Sequence, residues 1–178
     1  MDEPTELDEI AEILTHAEAL IDDILAMARS GQEPECEPID IASHATQAWS
    51  PVSTPAASLV VETEQTISAD PGQLLRLLEN LFRNAVEHGG NNVTVRLGST
   101  ADGFYVADDG AGIPVEHRES VFEERTTFDA GGTGYGLAIV SDIADAHGWS
   151  VSVTESESGG ARFDISGVTV VDTATAEP

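Results

Sequence analysis

The stretch from residue 70 to residue 90 constrains the fold most strongly, because it predicts an amphipathic helix with defined ends. An aspartate followed by proline, as at Asp70 and Pro71, is typical of a helix start. Gly89 and Gly90 are typical of a helix end. We therefore expect a helix from Pro71 to about Glu87. Its core face consists of apolar residues at helical spacing, with Leu77 and Phe82 at the sides: Leu74, Leu78, Leu81 and Ala85.

Two asparagines lie inside this helix, although asparagine is a poor helix former. Asn80 and Asn84 fall with Glu87 on one strip, at the border of the apolar face. Amides in such a position can ligate a cation that prefers oxygen, or hydrogen-bond a polar ligand, without the cost of burying a charge. The pair could equally be capped asparagines at the edge of the core.

Two glycine-rich segments follow the helix along the chain. "DDGAGIP", residues 108–114, leaves the end of an apolar strand, and "GGTGYGLAIV", residues 131–140, opens a helix. Glycine permits positive φ and close backbone approach, and a glycine-rich turn at a helix N-terminus presents free N–H groups to phosphate. Either segment alone could be an ordinary turn. The two segments together, in this order after the asparagine helix, are a more specific signal for a site that binds phosphate groups.

The charge of the chain excludes several classes of protein. The 178 residues include 33 acidic and 7 basic side chains, all seven of them arginine, for a net charge of −26. Without lysine, neither a P-loop nor a serine/threonine/tyrosine kinase site can be built. The acidity opposes binding to nucleic acid or anionic membranes. Because the carboxylates are spread along the chain, they predict a halophilic surface.

Targeting features are absent from the sequence as given. No apolar run approaches the length of about 20 residues that spans a bilayer, and no signal peptide opens the chain. One cysteine, Cys36, excludes an internal disulfide. We expect a soluble, cytoplasmic chain, although a longer kinase that contains it could be attached to a membrane.

The N-terminal segment predicts one long helix of a bundle. Apolar residues at 3-4 spacing run over residues 7–28: Leu7, Ile10, Leu14, Ala17, Ile21, Ile24 and Ala28. A third row of Ile13, Leu20 and Met27 makes this stripe wider than a two-stranded seam. One helix cannot bury this stripe, so we expect a homodimer or a missing partner helix; packing on its own domain is the alternative. The predicted divisions are a bundle helix at 1–31, a domain at 32–168 and a polar tail at 169–178.

Hairpins and helices alternate within residues 32–168, which predicts an α+β sandwich with helices on one face of a mixed sheet. Four segments, in order, resemble the boxes of the histidine-kinase catalytic domain, in the ATPase superfamily that includes gyrase and MutL. They are "LLENLFRNAVEHG" (N box), "VADDGAGIP" (first glycine box), "VFEERTTF" (F box) and "GGTGYGLAIV" (second glycine box). The likeness covers roughly residues 37–168 and implies a Bergerat-type ATP-binding fold. The bundle helix resembles the second helix of the dimerisation and phosphotransfer hairpin.

The resemblance implies ATP and Mg²⁺ as ligands. By position, Asn84 binds the Mg²⁺ that bridges the ATP phosphates, and Asn80 assists. Asp108 accepts a hydrogen bond from the adenine amino group, which selects adenine over guanine. Gly110 and Gly112 let the backbone pass close to the base.

The resemblance also assigns the rest of the pocket. Ile113 lines the adenine site, and residues 115–131 form a mobile ATP lid that Phe122 anchors. His88, after the N box, contacts the nucleotide. Phosphates are cradled by the second glycine box and the N–H groups at its helix start: Gly132, Thr133, Gly134, Tyr135, Gly136 and Leu137.

The sequence departs from the family pattern in its charges. Relatives often carry a lysine where this chain has Glu87, which could either aid Mg²⁺ or point away. Arg125, in the lid, is then the best remaining cation for the phosphates. Hydrolysing relatives have a glutamate where this chain has Asn80, so phosphoryl transfer is favoured over hydrolysis.

The phosphoacceptor is the largest gap in the resemblance. No histidine stands in an H-box context, and His16 is interpreted as a surface residue. The resemblance implies the catalytic domain of a two-component sensor histidine kinase, which transfers the γ-phosphoryl group to a histidine outside this chain for relay to a response regulator receiver domain. The alternatives are a serine kinase of the anti-sigma-factor type and a catalytically silent ATP-sensing module.

Overall fold

The computed structural model describes residues 3–30, 32–90, 92–123 and 136–172. Four helices are present in these ranges, and a 3₁₀ turn covers Val115–His117: α1 (Glu3–Ser30), α2 (Ile41–Trp49), α3 (Pro71–Gly89) and α4 (Gly136–His147). Eight strands accompany them: β1 (Glu37–Asp40), β2 (Ser58–Val61), β3 (Thr66–Ala69), β4 (Thr94–Thr100), β5 (Gly103–Asp108), β6 (Ser150–Glu155), β7 (Ala161–Ser166) and β8 (Val170–Val171).

Helix α3 begins and ends as its sequence predicts. The Asp70 side chain accepts a hydrogen bond of 3.0 Å from the Gln73 N–H, and Pro71 is the first helical residue. Gly90 follows the helix with a φ of +92°, a left-handed conformation that favours glycine. Local capping chemistry therefore fixes both ends, and the helix runs two residues beyond the predicted Glu87.

The main sheet has five strands in the order β2-β4-β5-β7-β6. Strand β2 is parallel to β4 and the other pairs are antiparallel, so the sheet is mixed. Side chains alternate across it: Val95 and Leu97 are buried, whereas Arg96 between them is exposed. The buried face packs with the helices into one core, and the predicted α+β sandwich is confirmed.

Two aromatic contacts lie within this core. Trp49 of α2 meets Phe82 of α3 edge to face, with ring centroids 5.7 Å apart. Phe104 of β5 meets Trp149 in the same way at 6.3 Å. Edge-to-face packing of this kind adds about 0.5–1.5 kcal/mol per pair beyond the area that it buries. The first contact holds α2 against α3, and the second holds Trp149, which follows α4, against β5.

A second, smaller sheet has the order β1-β3-β8 and is antiparallel throughout. Its third strand lies in residues 169–178, which the sequence predicted only as a polar tail. Val170 and Val171 pair with Ile67 and Thr66 of β3. The start of that segment is therefore part of the folded domain.

Helix α1 is the predicted long bundle helix, and its apolar stripe is largely exposed. Seven of the nine large apolar side chains exposed in the described part of the chain belong to α1, so the stripe is not buried against the domain. The opposite side of α1 contacts α4 and places Asp23 in a buried position. Among the described residues, no helix combines the length and apolar character needed to cross a membrane.

Candidate functional site

Asp108 ends β5 and is the most firmly held carboxylate of the site. It is 8% exposed, and its Oδ1 accepts hydrogen bonds from the Gly110 N–H at 2.9 Å and the Ala161 N–H at 3.2 Å. No group of the described residues hydrogen-bonds to Oδ2. One oxygen thus fixes the side chain, and the other can accept a hydrogen bond from a ligand.

The turn between β6 and β7 supports this aspartate, and sequence analysis did not assign it a role. The Ser156 hydroxyl donates to the Asp108 carbonyl oxygen at 2.6 Å and accepts from the Gly160 N–H at 2.9 Å. A side chain on Gly160 would collide with Asp108. The only signal in the sequence is the pair of glycines before β7, because Ser156 is 48 residues from Asp108.

Burial raises the pKa of the Asp108 carboxyl above its ordinary value, and the nearby Asp109 adds to the rise. The hydrogen bonds from Gly110 and Ala161 lower the pKa, as does His88, without reversing the rise. A buried, fixed carboxylate whose pKa is perturbed is typical of a functional position.

The glycines after Asp108 bring neighbouring segments into close contact. A side chain at Gly110 would collide with the backbone of Gly89, at the end of α3. Gly112 has a φ of +75°, and a Cβ atom there would lie 2.9 Å from the Gly159 carbonyl oxygen. The first glycine box therefore holds the end of β5 against α3, and its predicted approach to a base remains a prediction.

Asn80 lies beside the start of α4. It is 7% exposed, and its Nδ2 donates to the Arg76 carbonyl oxygen at 2.8 Å, which turns Oδ1 away from the helix backbone. A Cβ atom at Gly136, the first residue of α4, would lie 3.2 Å from that Oδ1. The structure thus joins the asparagine border of α3 to the helix N-terminus, where free N–H groups favour anions.

The strip of Asn80, Asn84 and Glu87, the polar border of α3, becomes more exposed toward the end of the helix. Asn84 is half-buried, whereas Glu87 and His88 are exposed. Although Glu87 as a residue is exposed, partial desolvation raises the pKa of its carboxyl, and Asp23 adds to the rise. His88, Arg83 and His16 act in the opposite sense.

Three predicted site residues pack against the core. Ile113, Phe122 and Leu137 are partly buried there, and the Phe122 ring meets Phe163 edge to face at 6.2 Å. The predicted residues Arg125, Gly132, Thr133, Gly134 and Tyr135 lie outside the described residues, as does the first half of the second glycine box.

Residues 69–168 match the family of histidine kinase-, DNA gyrase B- and HSP90-like ATPases. The chain belongs to this family. The match spans α3, Asp108, Ser156 and α4, and so includes the residues of the site described above. The resemblance seen in the four boxes is confirmed.

The chain is similar to a sensor histidine kinase and to two solved structures. ZraS from Escherichia coli O157:H7 is 37% identical over 108 residues, which are 58% of this chain. The ATP-binding domain of PrrB from Mycobacterium tuberculosis is 28% identical, with a TM-score of 0.61 over 78% of this chain and 99% of that one. Full-length ShkA with AMPPNP is 31% identical, with a TM-score of 0.71 over 95% of this chain and 39% of ShkA. The match to this chain covers only 24% of the length of ZraS.

Proposed function

We propose that this chain is the catalytic domain of a two-component sensor histidine kinase and transfers the γ-phosphoryl group of Mg·ATP to a histidine. The observation that carries the proposal is Asp108, a buried residue whose carboxylate keeps one oxygen free for a ligand, in a domain of this family. Such an oxygen can accept a hydrogen bond from the adenine amino group and would repel the carbonyl oxygen of guanine. The similar ShkA structure contains the nucleotide AMPPNP.

The residues present fit a magnesium ion. Asn80 turns its amide oxygen toward Gly136 because its nitrogen is held by the Arg76 carbonyl oxygen. Mg²⁺ prefers hard oxygen ligands and is often held by few protein groups together with the phosphates. Asn84 would hold the ion, with Asn80 assisting, and the bound ion would neutralise charge on the phosphates. Glu87, one turn further on, could join through a water molecule.

Phosphoryl transfer is favoured over hydrolysis because the site lacks a carboxylate at the position of a general base. An amide such as that of Asn80 cannot accept a proton from water. The neighbouring Glu79 is on another side of α3, where Arg83, Arg76 and Asp22 act on its carboxyl, whose pKa is raised chiefly by burial. Positioning of an acceptor in line with the γ-phosphate would then supply the catalysis.

The exposed stripe of α1 indicates how the chain would meet the phosphoacceptor. This stripe suits the packing of a four-helix dimerisation bundle in a homodimer, together with a helix outside this sequence that carries the acceptor. Because Asp23, on another side of α1, is buried, a bundle could form without displacing the domain. The phosphoryl group would pass to a response regulator receiver domain, at a cytoplasmic location. Nucleic acid is not expected as a partner, given a charge of −26.

Titration calorimetry with Mg·ATP, and with ATP in EDTA, tests the proposal. Asn84→Ala should abolish most of the difference between the two titrations while the thermal unfolding curve stays two-state. The control is Asn92→Ala, which removes an exposed amide outside the site. If Mg²⁺ tightened ATP binding equally in all three proteins, Asn84 would be structural; if the unchanged chain bound no ATP, the proposed function would be wrong.

A further inference from the structure

The face of the main sheet that points away from the helices carries a small cavity of about 160 Å³. Ala107, near the end of β5, forms its floor. Arg96 of β4 and Arg162 of β7 are both partners of Ala107 in the sheet register, so they stand on either side of this floor. Pockets for drug-sized ligands measure roughly 300–1,000 Å³. The cavity is smaller than these and therefore suits a small molecule.

Both guanidinium groups lie on the Tyr105 side of Ala107. The guanidinium carbon of Arg162 lies 4.0 Å from the centroid of the Tyr105 ring. Arg96 Nη1 donates to Glu62 Oε1 at 2.8 Å, and the Tyr105 hydroxyl donates to the other oxygen of Glu62 at 3.3 Å. One network therefore holds both arginines at this end of the cavity.

Neither arginine uses all of its N–H groups in this network. Arg162 donates to Asp164 through Nε and Nη2, which leaves its Nη1, and Arg96 keeps Nε and Nη2. Within the part of the chain that the structure describes, no acceptor hydrogen-bonds to these nitrogens. Because each guanidinium already has a carboxylate partner, this end is close to neutral but still offers donors that suit a carboxylate.

The opposite end of the cavity carries carboxylate oxygens. Asp109 lies two residues beyond Ala107, which is about 7 Å along an extended strand. Its Oδ1 accepts from the Thr94 N–H at 2.8 Å, whereas no described group donates to its Oδ2. Glu157, in the turn between β6 and β7, adds a second exposed carboxylate to the wall. The cavity therefore has donors at one end and acceptors at the other.

We propose that this cavity binds a small zwitterion, such as a free α-amino acid. The ligand carboxylate accepts from the free N–H groups of Arg96 and Arg162, and the ligand ammonium group donates to Asp109 and Glu157. An α-amino acid with a hydrogen bond of about 2.9 Å at each end is long enough to bridge groups about 7 Å apart. A zwitterion has no net charge, so a protein charge of −26 does not repel it as it would a simple anion.

The cavity shares a wall with the support of Asp108. This wall includes Asp108 and Ser156, and the Ser156 hydroxyl donates to the Asp108 carbonyl oxygen at 2.6 Å. A ligand on Glu157 therefore immobilises the turn that holds Asp108. Because an ordered turn loses less freedom when a nucleotide binds, an occupied cavity should tighten Mg·ATP binding by about fivefold. This link rests on the proposed function, whereas binding of the zwitterion does not.

Glycine is the probe, because it is a zwitterion without a side chain. Acetate and methylammonium are its matched controls, since each carries one of its two charges. NMR titrations of the ¹⁵N-labelled whole chain in molar KCl measure binding through the amide shifts of residues 105–109 and 156–162. Calorimetry with Mg·ATP, with and without saturating glycine, measures the link to the nucleotide.

Three substitutions test the two ends and the floor of the cavity. Arg162→Gln removes a donor end, Asp109→Asn removes the charge at the acceptor end, and Ala107→Val fills the floor without a change in charge. Arg29→Gln and Asp102→Asn are matched controls, because they make the same charge changes at exposed positions outside the cavity.

Glycine should shift these amides saturably, and acetate and methylammonium should bind at least about tenfold more weakly, as expected when charge-assisted hydrogen bonds are lost. Arg162→Gln and Asp109→Asn should each weaken glycine binding by a similar factor. Ala107→Val should abolish it, and both controls should bind as the unchanged chain does.

Absence of a saturable shift with glycine would overturn the site, and acetate binding equal to that of glycine would replace the zwitterion with an anion. If thermal unfolding shows that Arg162→Gln does not fold, Asp109→Asn and Ala107→Val decide by the same criteria. Equal Mg·ATP affinity with and without glycine would overturn the link to Asp108. A chain that binds glycine but no Mg·ATP would instead show that the proposed function is wrong.

Discussion

The Ser156 hydroxyl donates a 2.6 Å hydrogen bond to the Asp108 carbonyl oxygen, so the turn between β6 and β7 fixes the end of β5. The same hydroxyl accepts from the Gly160 N–H, and Oδ1 of Asp108 accepts from Ala161. Backbone and side chain of Asp108 are thus both held by one turn. Together with the Gly110 N–H, this turn sets the direction of the free carboxylate oxygen.

Gly160→Ala should damage ATP binding, because the added methyl group would collide with both the backbone oxygen and Oδ1 of Asp108. We expect about 1–3 kcal/mol of destabilisation, as for an overpacked core, together with a large loss of affinity for Mg·ATP. Thermal unfolding and calorimetry measure the two effects. Gly72→Ala is the control, since its nearest contact would be an ordinary 3.5 Å. Unchanged ATP binding in Gly160→Ala would show that the turn does not position Asp108.

Asp108→Asn should weaken ATP binding by roughly 1.5–3 kcal/mol, the cost of a lost hydrogen bond to a charged group. The variant should also lose preference for ATP over GTP, because an amide can present a donor to the base. Competition calorimetry with both nucleotides measures this change. Asp109→Asn is the control: its carboxylate is exposed and accepts from the Thr94 N–H at 2.8 Å. Equal affinity in the unchanged chain and Asp108→Asn would reject the adenine contact.

The affinity for ATP should fall as the pH is lowered through the raised pKa of Asp108. Burial disfavours the ionised form, so the folded protein takes up this proton at a higher pH than the unfolded chain does. Above the raised pKa, the ionised group therefore destabilises the fold, and protonation removes that penalty. Nucleotide binding responds in the opposite sense, because it needs the ionised acceptor. Dissociation constants measured across the acid range should depend less on pH in Asp108→Asn.

Local features of the sequence were enough to predict α3 and the position of its asparagines. Asp70, Pro71 and Gly90 act within one or two turns of the chain, and the apolar spacing that faces the core is a property of the helix alone. The polar border of α3 could be predicted from this helical projection alone. The role predicted for Asp108 came from the resemblance to the family's first glycine box.

Non-local pairing could not be predicted in the same way. Strand β8 is two valines long, and its partner Ile67 is more than 100 residues away. Ser156 and Gly160, which support Asp108, belong to a distant turn without a distinctive sequence pattern. Asp23 is buried although an aspartate is expected to be exposed, because its burial depends on which side of α1 meets the domain. Such relations require the folded arrangement of elements, because their partners are set by topology.

Salt should stabilise this protein and tighten nucleotide binding. With 33 carboxylates and no lysine, repulsion between like charges at low ionic strength loosens the domain and opposes an anionic ligand. Molar KCl shortens the screening length to about 3 Å and removes most of this repulsion. The melting temperature and the ATP affinity should both increase with KCl concentration. Greatest stability in dilute buffer would reject the halophilic interpretation.

This chain should bind Mg·ATP yet show little acid-labile autophosphorylation. Phosphoryl transfer needs an acceptor held in line with the γ-phosphate, and no histidine of the sequence is in an H-box context. Hydrolysis should also be slow, since the Asn80 amide cannot act as a base. Incubation with γ-labelled ATP tests this prediction. Addition of a helix carrying an H box, on the same chain or on a partner, should produce labelling, because that helix completes the bundle on the exposed stripe of α1. Strong labelling of the chain alone that His16→Ala removes would instead identify His16 as the acceptor.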